Sequence, residues 1–306
     1  MSLRISAKNP PVNKLIRAKL SIYGQKIRHH ACPKLNRLDG KKVLITGGTA
    51  GVGEFITRSL LAQGAQVTSL SRGVSTSTDK IDGVELFYMD LADPDTIVSA
   101  VDKLGEQQFD IIICNAGLLT KAGETSPSGY EKTFSVNVLG HHILYRLLMT
   151  RNLLANKARI VITTGDIYVL ENECSPDLPF DEPYRTYARS KLGNLWQVRE
   201  LTQRYSNFHS VAVHPGVIAN GFVGKKTGFL AWLRSTQLIT EEQGAHSSLI
   251  GATQPLPKGS YWHNVFGLVN LQHYDTACDD MGSQKLWEQL ESIALPYLKD
   301  RVPTSL

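Results

Sequence analysis

The chain has 306 residues, of which 42% are apolar, a length and composition that suit one large α/β domain with a sizeable core. The net charge is +5, but the nine Lys and Arg residues from Met1 to Leu38 meet no Asp or Glu, so the basic excess belongs to the N-terminus and the remainder is net negative. Four scattered cysteines (Cys32, Cys114, Cys174, Cys278) lack metal or redox spacing and suit a reducing compartment. No apolar run approaches the ~18 residues that span a bilayer, and the N-terminus lacks the apolar core of a secretory signal. A cytoplasmic protein is expected, with membrane association left open.

Residues 1–38 form a basic arm. Ile16, Leu20, Tyr23 and Ile27 recur at helical spacing among Lys14, Arg17, Lys19, Lys26 and Arg28. Such a stripe can pack on the body of the protein, on a second subunit, or in a membrane interface. Arginine without acid is also found in organelle transit segments. The basic run is short and no recognition module accompanies it, so no nucleic-acid partner is expected.

From residue 39 to 306 the pattern predicts a single domain of alternating strands and helices. Strands are expected at Lys42–Thr46, Gln66–Leu70, Val84–Tyr88, Phe109–Cys114, Ala158–Thr164 and His209–His214. The longest helices are expected at about Tyr130–Ala155 and Tyr184–Tyr205, and the stretch Ser71–Asp79 reads as a loop. Strands as apolar as Val43-Leu44-Ile45 and Ile111-Ile112-Ile113 require a parallel sheet covered on both faces. The fold class is therefore a doubly wound parallel sheet of the Rossmann type, with its ligand site at the strand C-termini.

The first strand runs into Thr46-Gly47-Gly48-Thr49-Ala50-Gly51-Val52-Gly53, which opens a helix. Glycine at 47, 51 and 53 permits a sharp turn and close approach to a pyrophosphate, and the N–H groups of the helix start face the anion. A tight strand–helix turn is the plainer alternative, but the strand–turn–helix context is the one a dinucleotide site requires. Arg72 ends the second strand where an acidic residue would hold the ribose of NAD, and a guanidinium there suits the extra phosphate of NADP(H). A solvated loop arginine is the alternative. Asp90, past the third strand, could accept from the adenine amino group or cap the helix starting near Pro94.

Tyr187 and Lys191 lie four residues apart early in a helix, so phenol and ammonium share one face. A nearby ammonium favours the phenolate, which fits Tyr187 to act as general acid or base near neutral pH. YxxxK alone could be a surface pair, but its place after the fifth strand gives it weight.

With these motifs the chain resembles the short-chain dehydrogenase/reductase family from about Leu38 onward, and its compact branch by the GxxxGxG spacing. The resemblance rests on Thr46–Gly53, Asp90-Leu91, Asn115-Ala116-Gly117, Asn137 within Val136–His141, Tyr187–Lys191 and His214-Pro215-Gly216. Asn137–His141, Ser190–Asn194, Gly244–Ser248 and Leu286–Glu288 are similar to the retinol-dehydrogenase and WW-domain-oxidoreductase-like group. The resemblance implies that Asn137 holds a water in a proton relay through Lys191 and that Lys191 also binds the nicotinamide ribose. It implies that Asn115 and Gly117 line the adenosine half of the groove, and that the backbone after Pro215, through Gly216 and Val217, supports the carboxamide. The helices around Asn137 and Tyr187 are where such proteins often form homo-oligomers.

Two positions depart from the family. A serine usually ends the fifth strand and holds the substrate oxygen, and Gly165 stands there instead. Thr164 is one residue away and could serve only if the strand end bulges or twists. Asp166 is a further polar candidate, whose charge would oppose an alkoxide unless it is protonated or turned away. Asn220 replaces a frequent threonine, a mild change. Phe222, Val223, Phe229, Leu230, Trp232 and Leu233 fall where the family places a substrate-covering loop, which suits a steroid-, retinoid- or long-chain-like substrate as well as simple core packing. The pairs His29-His30 and His141-His142 lack metal-ligand spacing, and no metal is expected. The sequence thus reads as an NADP(H)-dependent oxidoreductase on a small molecule, with a cofactor-binding sensor or scaffold as the alternative.

Overall fold

The computed structural model describes residues 14–73, 81–178, 182–218 and 238–299. Asn220, the apolar segment from Phe222 to Leu233 and most of the loop after Ser71 lie outside the described residues. Eight strands form one sheet in the order β3-β2-β1-β4-β5-β6-β7-β8. They are β1 Lys42–Thr46, β2 Gln66–Ser71, β3 Val84–Tyr88, β4 Phe109–Cys114, β5 Leu154–Thr163, β6 His209–His214, β7 Tyr261–His263 and β8 Gly267–Val269. The first seven are parallel, and β8 returns antiparallel on β7. Strand order reverses between β1 and β4, and such a switch point opens a crevice at the strand C-termini.

The helices are α1 Lys14–Arg28, α2 Gly51–Ala62 and α3 Pro94–Asp102, then a composite α4, then α5 Pro183–Arg204, α6 Glu241–Thr253 and α7 Asp280–Leu298. Helix α4 runs through Lys132–Phe134, a π-helical turn at Ser135–Leu139, and Gly140–Thr150. Period-two alternation splits each apolar strand between two cores. Leu44, Ile112, Ile160, Ile162 and Ala212 face α3, α4, α5 and α7. Val43, Ile45, Ile111, Ile113, Val161 and Val211 face α2 and α6.

All six expected strands form. The fifth starts earlier than expected, at Leu154, and α4 stops at Thr150 instead of running to Ala155. Asn152 takes φ 53°, a left-handed conformation that ends the helix, and Leu154 then pairs beside Phe109. The three-residue strands β7 and β8 are too short to show a period in the sequence.

Helix α1 sits on the body with its polar side inward. Arg17, Ser21 and Gln25 are buried, whereas Ile16, Leu20, Tyr23 and Ile27 are exposed. Of the alternatives open for this stripe, packing on the body of the protein does not occur among the described residues. The polar side has specific partners to meet. Arg17 lies between Asp166 and Asp275, 3.6 Å from each, and donates to the Tyr168 hydroxyl. Gln25 donates to the Val217 carbonyl (3.0 Å) and accepts from the Val217 N–H (2.9 Å). Beyond α1, the His30 N–H donates to the Asn264 carbonyl, and Leu35 and Leu38 pack on the α2-side core.

Helix α7 covers α4 and α5. Arg146 makes two hydrogen bonds to Glu291, and Ser283 donates to Glu200. An oligomer through those faces of α4 and α5 would have to displace α7.

Replacing Arg17 by Met leaves the Asp166 and Asp275 carboxylates buried without their cation, which costs about 3–5 kcal/mol. Ile27→Ser, on the exposed side, changes stability by no more than about 0.5 kcal/mol. Denaturant unfolding of the two variants checks this, and an Arg17→Met protein as stable as wild type would contradict it.

Candidate active site

The turn after β1 is shaped by backbone proximity. Gly47 and Gly51 adopt φ 66° and 55°. A Cβ on Gly53 would lie 2.0 Å from the Gly47 carbonyl oxygen, so no other residue fits there. Helix α2 begins behind Ala50, which offers no side-chain cap, so the first N–H groups of the helix are not satisfied by a side chain. The turn is held to β2 by hydroxyls: the Gly48 N–H donates to Ser69 Oγ (3.1 Å) and Thr49 Oγ1 to Ser71 Oγ (3.3 Å). Val52 is partly buried in that first turn, and Arg72, next to Ser71, is exposed at the rim.

Asp90 does not cap the following helix. Asp93 does, accepting from the Asp95 N–H, whereas Asp90 Oδ1 accepts from the Ala92 N–H in its own turn. The Leu91 side chain is buried in the core. A Cβ on Gly140 would lie 2.2 Å from the Leu91 carbonyl oxygen, so α4 passes this turn at contact distance only because residue 140 is glycine.

A hydrogen-bond chain crosses the switch point. Thr46 Oγ1 accepts from the Asn115 and Ala116 N–H groups, both at 3.0 Å. Its own proton is then directed to His141 Nε2 at 2.9 Å. This leaves the His141 proton on Nδ1, facing the Asn137 carbonyl at 3.3 Å. Burial, with a smaller contribution from the Lys191 charge, pushes His141 down to about 4, so it is neutral at physiological pH. The Asn115 amide also donates to the Thr46 carbonyl (3.1 Å). In the sequence His141 stands in a histidine pair and at the end of the Asn137–His141 stretch, and neither signals its link to Thr46.

Asn137 sits in the π-helical turn, a local geometry that recurs at functional sites. Its side-chain amide accepts from the Leu118 N–H (2.8 Å) and donates to the Leu118 carbonyl and Ser190 Oγ, each at 3.0 Å. It thereby ties the end of β4 to α5. A Cβ on Gly117 would lie 3.3 Å from Asn137 Oδ1 and 3.7 Å from Lys191 Nζ, so Gly117, Asn137 and Lys191 converge.

Tyr187 and Lys191 share a face of α5, as their spacing requires, with Lys191 Nζ 5.2 Å from the Tyr187 ring centre. Lys191 Nζ donates to the Thr163 carbonyl at 3.2 Å. Burial sets both groups toward neutrality: Lys191 falls to about 8 and Tyr187 rises to about 12. The expected lowering of the phenol by the ammonium is thus outweighed by burial in the protein alone.

Beyond β5, Thr164 does not present its hydroxyl to the crevice. Thr164 Oγ1 donates to the Lys191 carbonyl at 2.7 Å and is buried. Asp166 is turned away into the buried cluster that holds Arg17. Its carboxylate accepts from the Tyr261 hydroxyl (2.8 Å) and from His263 Nε2 (3.0 Å). Burial alone would raise this carboxyl, but the His263 contact and the Arg17 guanidinium outweigh it and hold Asp166 ionised well below the usual carboxylate range. Gly165 has extended backbone (φ −164°), and a Cβ there would find Lys191 Cγ at 3.6 Å and His214 Nδ1 at 3.9 Å, ordinary contacts. The position beside Lys191 accepts a Cβ without a clash and carries none, a gap where a serine is expected.

Asp166, His214 and His263 are the one metal-type cluster among the described residues. His263 Nδ1 accepts from the Val265 and Phe266 N–H groups, so its proton is on Nε2, where it serves Asp166. That tautomer leaves His263 no lone pair for a metal, and the cluster reads as a hydrogen-bonded anchor. At the other end of the crevice, Gly216 takes φ 100° after Pro215, and Val217 is held by Gln25.

A switch-point crevice with a glycine turn on one side and a half-buried Tyr187 beside a buried Lys191 on the other defines a dinucleotide-dependent oxidoreductase class. The pattern of the family described as short chain dehydrogenase matches residues 41–175. Retinol dehydrogenase 12 of Homo sapiens is 31% identical over 231 residues, covering 70% of this chain and 73% of the relative. Retinol dehydrogenase 14 of Homo sapiens is 26% identical over 302 residues, covering 86% and 88%. The chain belongs to the short-chain dehydrogenase/reductase family and is similar to its retinol-dehydrogenase members. The fold agrees with solved structures. An uncharacterized protein from Mycobacterium Paratuberculosis aligns with TM-score 0.68 and 24% identity, over 87% of this chain and 98% of that one. A gluconate 5-dehydrogenase from Burkholderia cenocepacia J2315, in complex with NADP and tartrate, aligns with TM-score 0.57 and 17% identity over 74% and 94%.

The depressed Lys191 carries a signed stability prediction. Below pH about 8 the folded chain buries an ammonium that the unfolded chain keeps in water. From about 8 to the ordinary 10.5 the unfolded chain holds the extra proton, so stability rises with pH across that window. Lys191→Met is expected to raise the melting temperature near neutral pH, by an amount equivalent to at most roughly 3 kcal/mol, with the gain shrinking as pH climbs through the window. A pH-independent change would contradict burial as the cause.

Proposed function

We propose that the chain is an NADP(H)-dependent oxidoreductase that interconverts a secondary alcohol and a carbonyl on a lipophilic substrate. The convergence of Lys191, Asn137 and Gly117 at the end of β4, with Tyr187 on the same face of α5, carries this reading. The residues present fit a dinucleotide. The uncapped start of α2 and the cradle at Gly47, Thr49, Gly51, Val52 and Gly53 suit a pyrophosphate, and a Cβ at 53 would fill that cradle. The exposed Arg72 suits the extra phosphate of NADP(H). Asp90 and Leu91, with Asn115, Ala116 and Gly117, border the adenosine half. Pro215 and Gly216 would border the carboxamide, and Val217 could meet it only by releasing the Gln25 amide that its N–H and carbonyl now engage.

A nicotinamide held there would supply or accept the hydride. Tyr187 gives its phenolic proton to the carbonyl oxygen in reduction and takes it back in oxidation. Its neutral form, favoured by burial, is the one that reduction needs. Lys191 would hold the ribose of a bound cofactor and favour the phenolate once positive charge gathers at the site. Asn137 orients the relay behind Lys191. The Gly165 gap removes one preorganised donor, a loss of about 3–4 kcal/mol where such donors have been removed elsewhere. Thr164 can contribute only by giving up its bond to the Lys191 carbonyl. The relatives named retinol dehydrogenases and the apolar residues Phe222, Phe229 and Trp232 support a lipophilic substrate.

The second reading is a cofactor-binding sensor or scaffold with little turnover, and the Gly165 gap with the engaged Thr164 hydroxyl favours it. Two substitutions separate the readings. Tyr187→Phe is expected to bind NADPH as wild type does and to lose turnover by at least a hundredfold. A Cβ at Gly165 meets only ordinary contacts, and Gly165→Ser is expected to raise kcat about tenfold or more. Full turnover in Tyr187→Phe would contradict the role of the phenol. Unchanged kcat in Gly165→Ser would contradict the account of the gap.

A further inference from the structure

Helix α1 is inverted relative to a helix that packs by its apolar side. Arg17, Ser21 and Gln25 face the protein, fixed by Asp166, Asp275 and the Val217 backbone. The four apolar residues of the stripe face outward, exposed by 50% at Ile16, 51% at Leu20, 68% at Tyr23 and 88% at Ile27. The lysines Lys19 and Lys26 are exposed on the same side. No acidic residue occurs in the helix or anywhere in residues 1–38.

We infer that this outward face of α1 docks the protein on an anionic membrane surface. Apolar side chains in a row bordered by ammonium groups match the acyl boundary and the acidic headgroups of one leaflet. The same charges disfavour a second copy as the occupant. A two-fold contact between identical faces would set lysines against lysines with no carboxylate on either helix. A helix of 15 residues is only about 22 Å long, too little alone for the roughly 800 Å² per partner of a stable dimer. No helix among the described residues is long and apolar enough to cross a membrane, so the contact is peripheral. Because α1 is bonded to Val217 and to the turn that follows Gly165, docking brings the strand C-termini close to the lipid surface. The docking itself does not require the oxidoreductase reading to hold.

The test uses the full chain and co-sedimentation with vesicles of phosphatidylcholine alone or mixed with phosphatidylserine. Wild type is expected to bind the anionic vesicles and to lose roughly tenfold in affinity without phosphatidylserine or at high salt. Replacing Ile16, Leu20, Tyr23 and Ile27 by Ser, or Lys19 and Lys26 by Glu, is expected to cut binding about tenfold or more. Both sets point outward, so melting temperature and NADPH binding should stay at wild-type values. Absence of wild-type binding, or equal binding by the serine variant, would overturn the inference. So would a wild-type dimer that the serine variant converts to monomer.

Discussion

The Asp166 carboxylate accepts from Tyr261 and His263 on β7 and faces the Arg17 guanidinium from α1. One buried anion therefore joins the turn after β5, strand β7 and the N-terminal helix. Desolvation makes this arrangement all-or-none, because a carboxylate stripped of any of these partners would be too costly to keep ionised in the interior. With Asp166 drawn down toward β7, Gly165 is left facing Lys191 across a gap that a side chain could fill. Thr164 is left facing the Lys191 carbonyl.

A second set of polar contacts fixes the opposite wall. The Thr46 hydroxyl gathers the amides at the end of β4 and hands its proton to His141, which reaches the carbonyl of Asn137 in the π-helical turn. Asn137 in turn holds Leu118 and Ser190. The glycine turn, the end of β4, α4 and the Tyr187 helix are thus registered through neutral hydrogen bonds. Neutral groups suit this position, since burial already pushes His141 and Lys191 toward their uncharged forms. Positive charge at the site then acts on a phenol that desolvation keeps neutral.

Much of the fold and the core of the site were legible from the chain alone, because both depend on short-range pattern. Apolar strands such as Ile111-Ile112-Ile113, the glycines at 47, 51 and 53, and the four-residue spacing of Tyr187 and Lys191 each carry their geometry locally. What was not legible depended on distant partners. Arg17 looked like one more basic residue of an arm, and only Asp166 and Asp275, far along the chain, make it a buried cation. The apolar stripe of α1 pointed the wrong way because pattern reading puts apolar residues inside, whereas here buried carboxylates and the Val217 backbone claim the polar face. Asp90 left two readings open until Asp93 proved to be the cap.

The central claim is that this crevice performs hydride chemistry and is more than a place where a dinucleotide rests. Following NADPH absorbance with the wild-type protein and a panel of lipophilic aldehydes and ketones tests it most directly. The account predicts oxidation of NADPH with at least one such carbonyl and formation of the matching alcohol. Firm NADPH binding with no turnover across the panel, in either direction, would contradict it and leave the cofactor-binding scaffold.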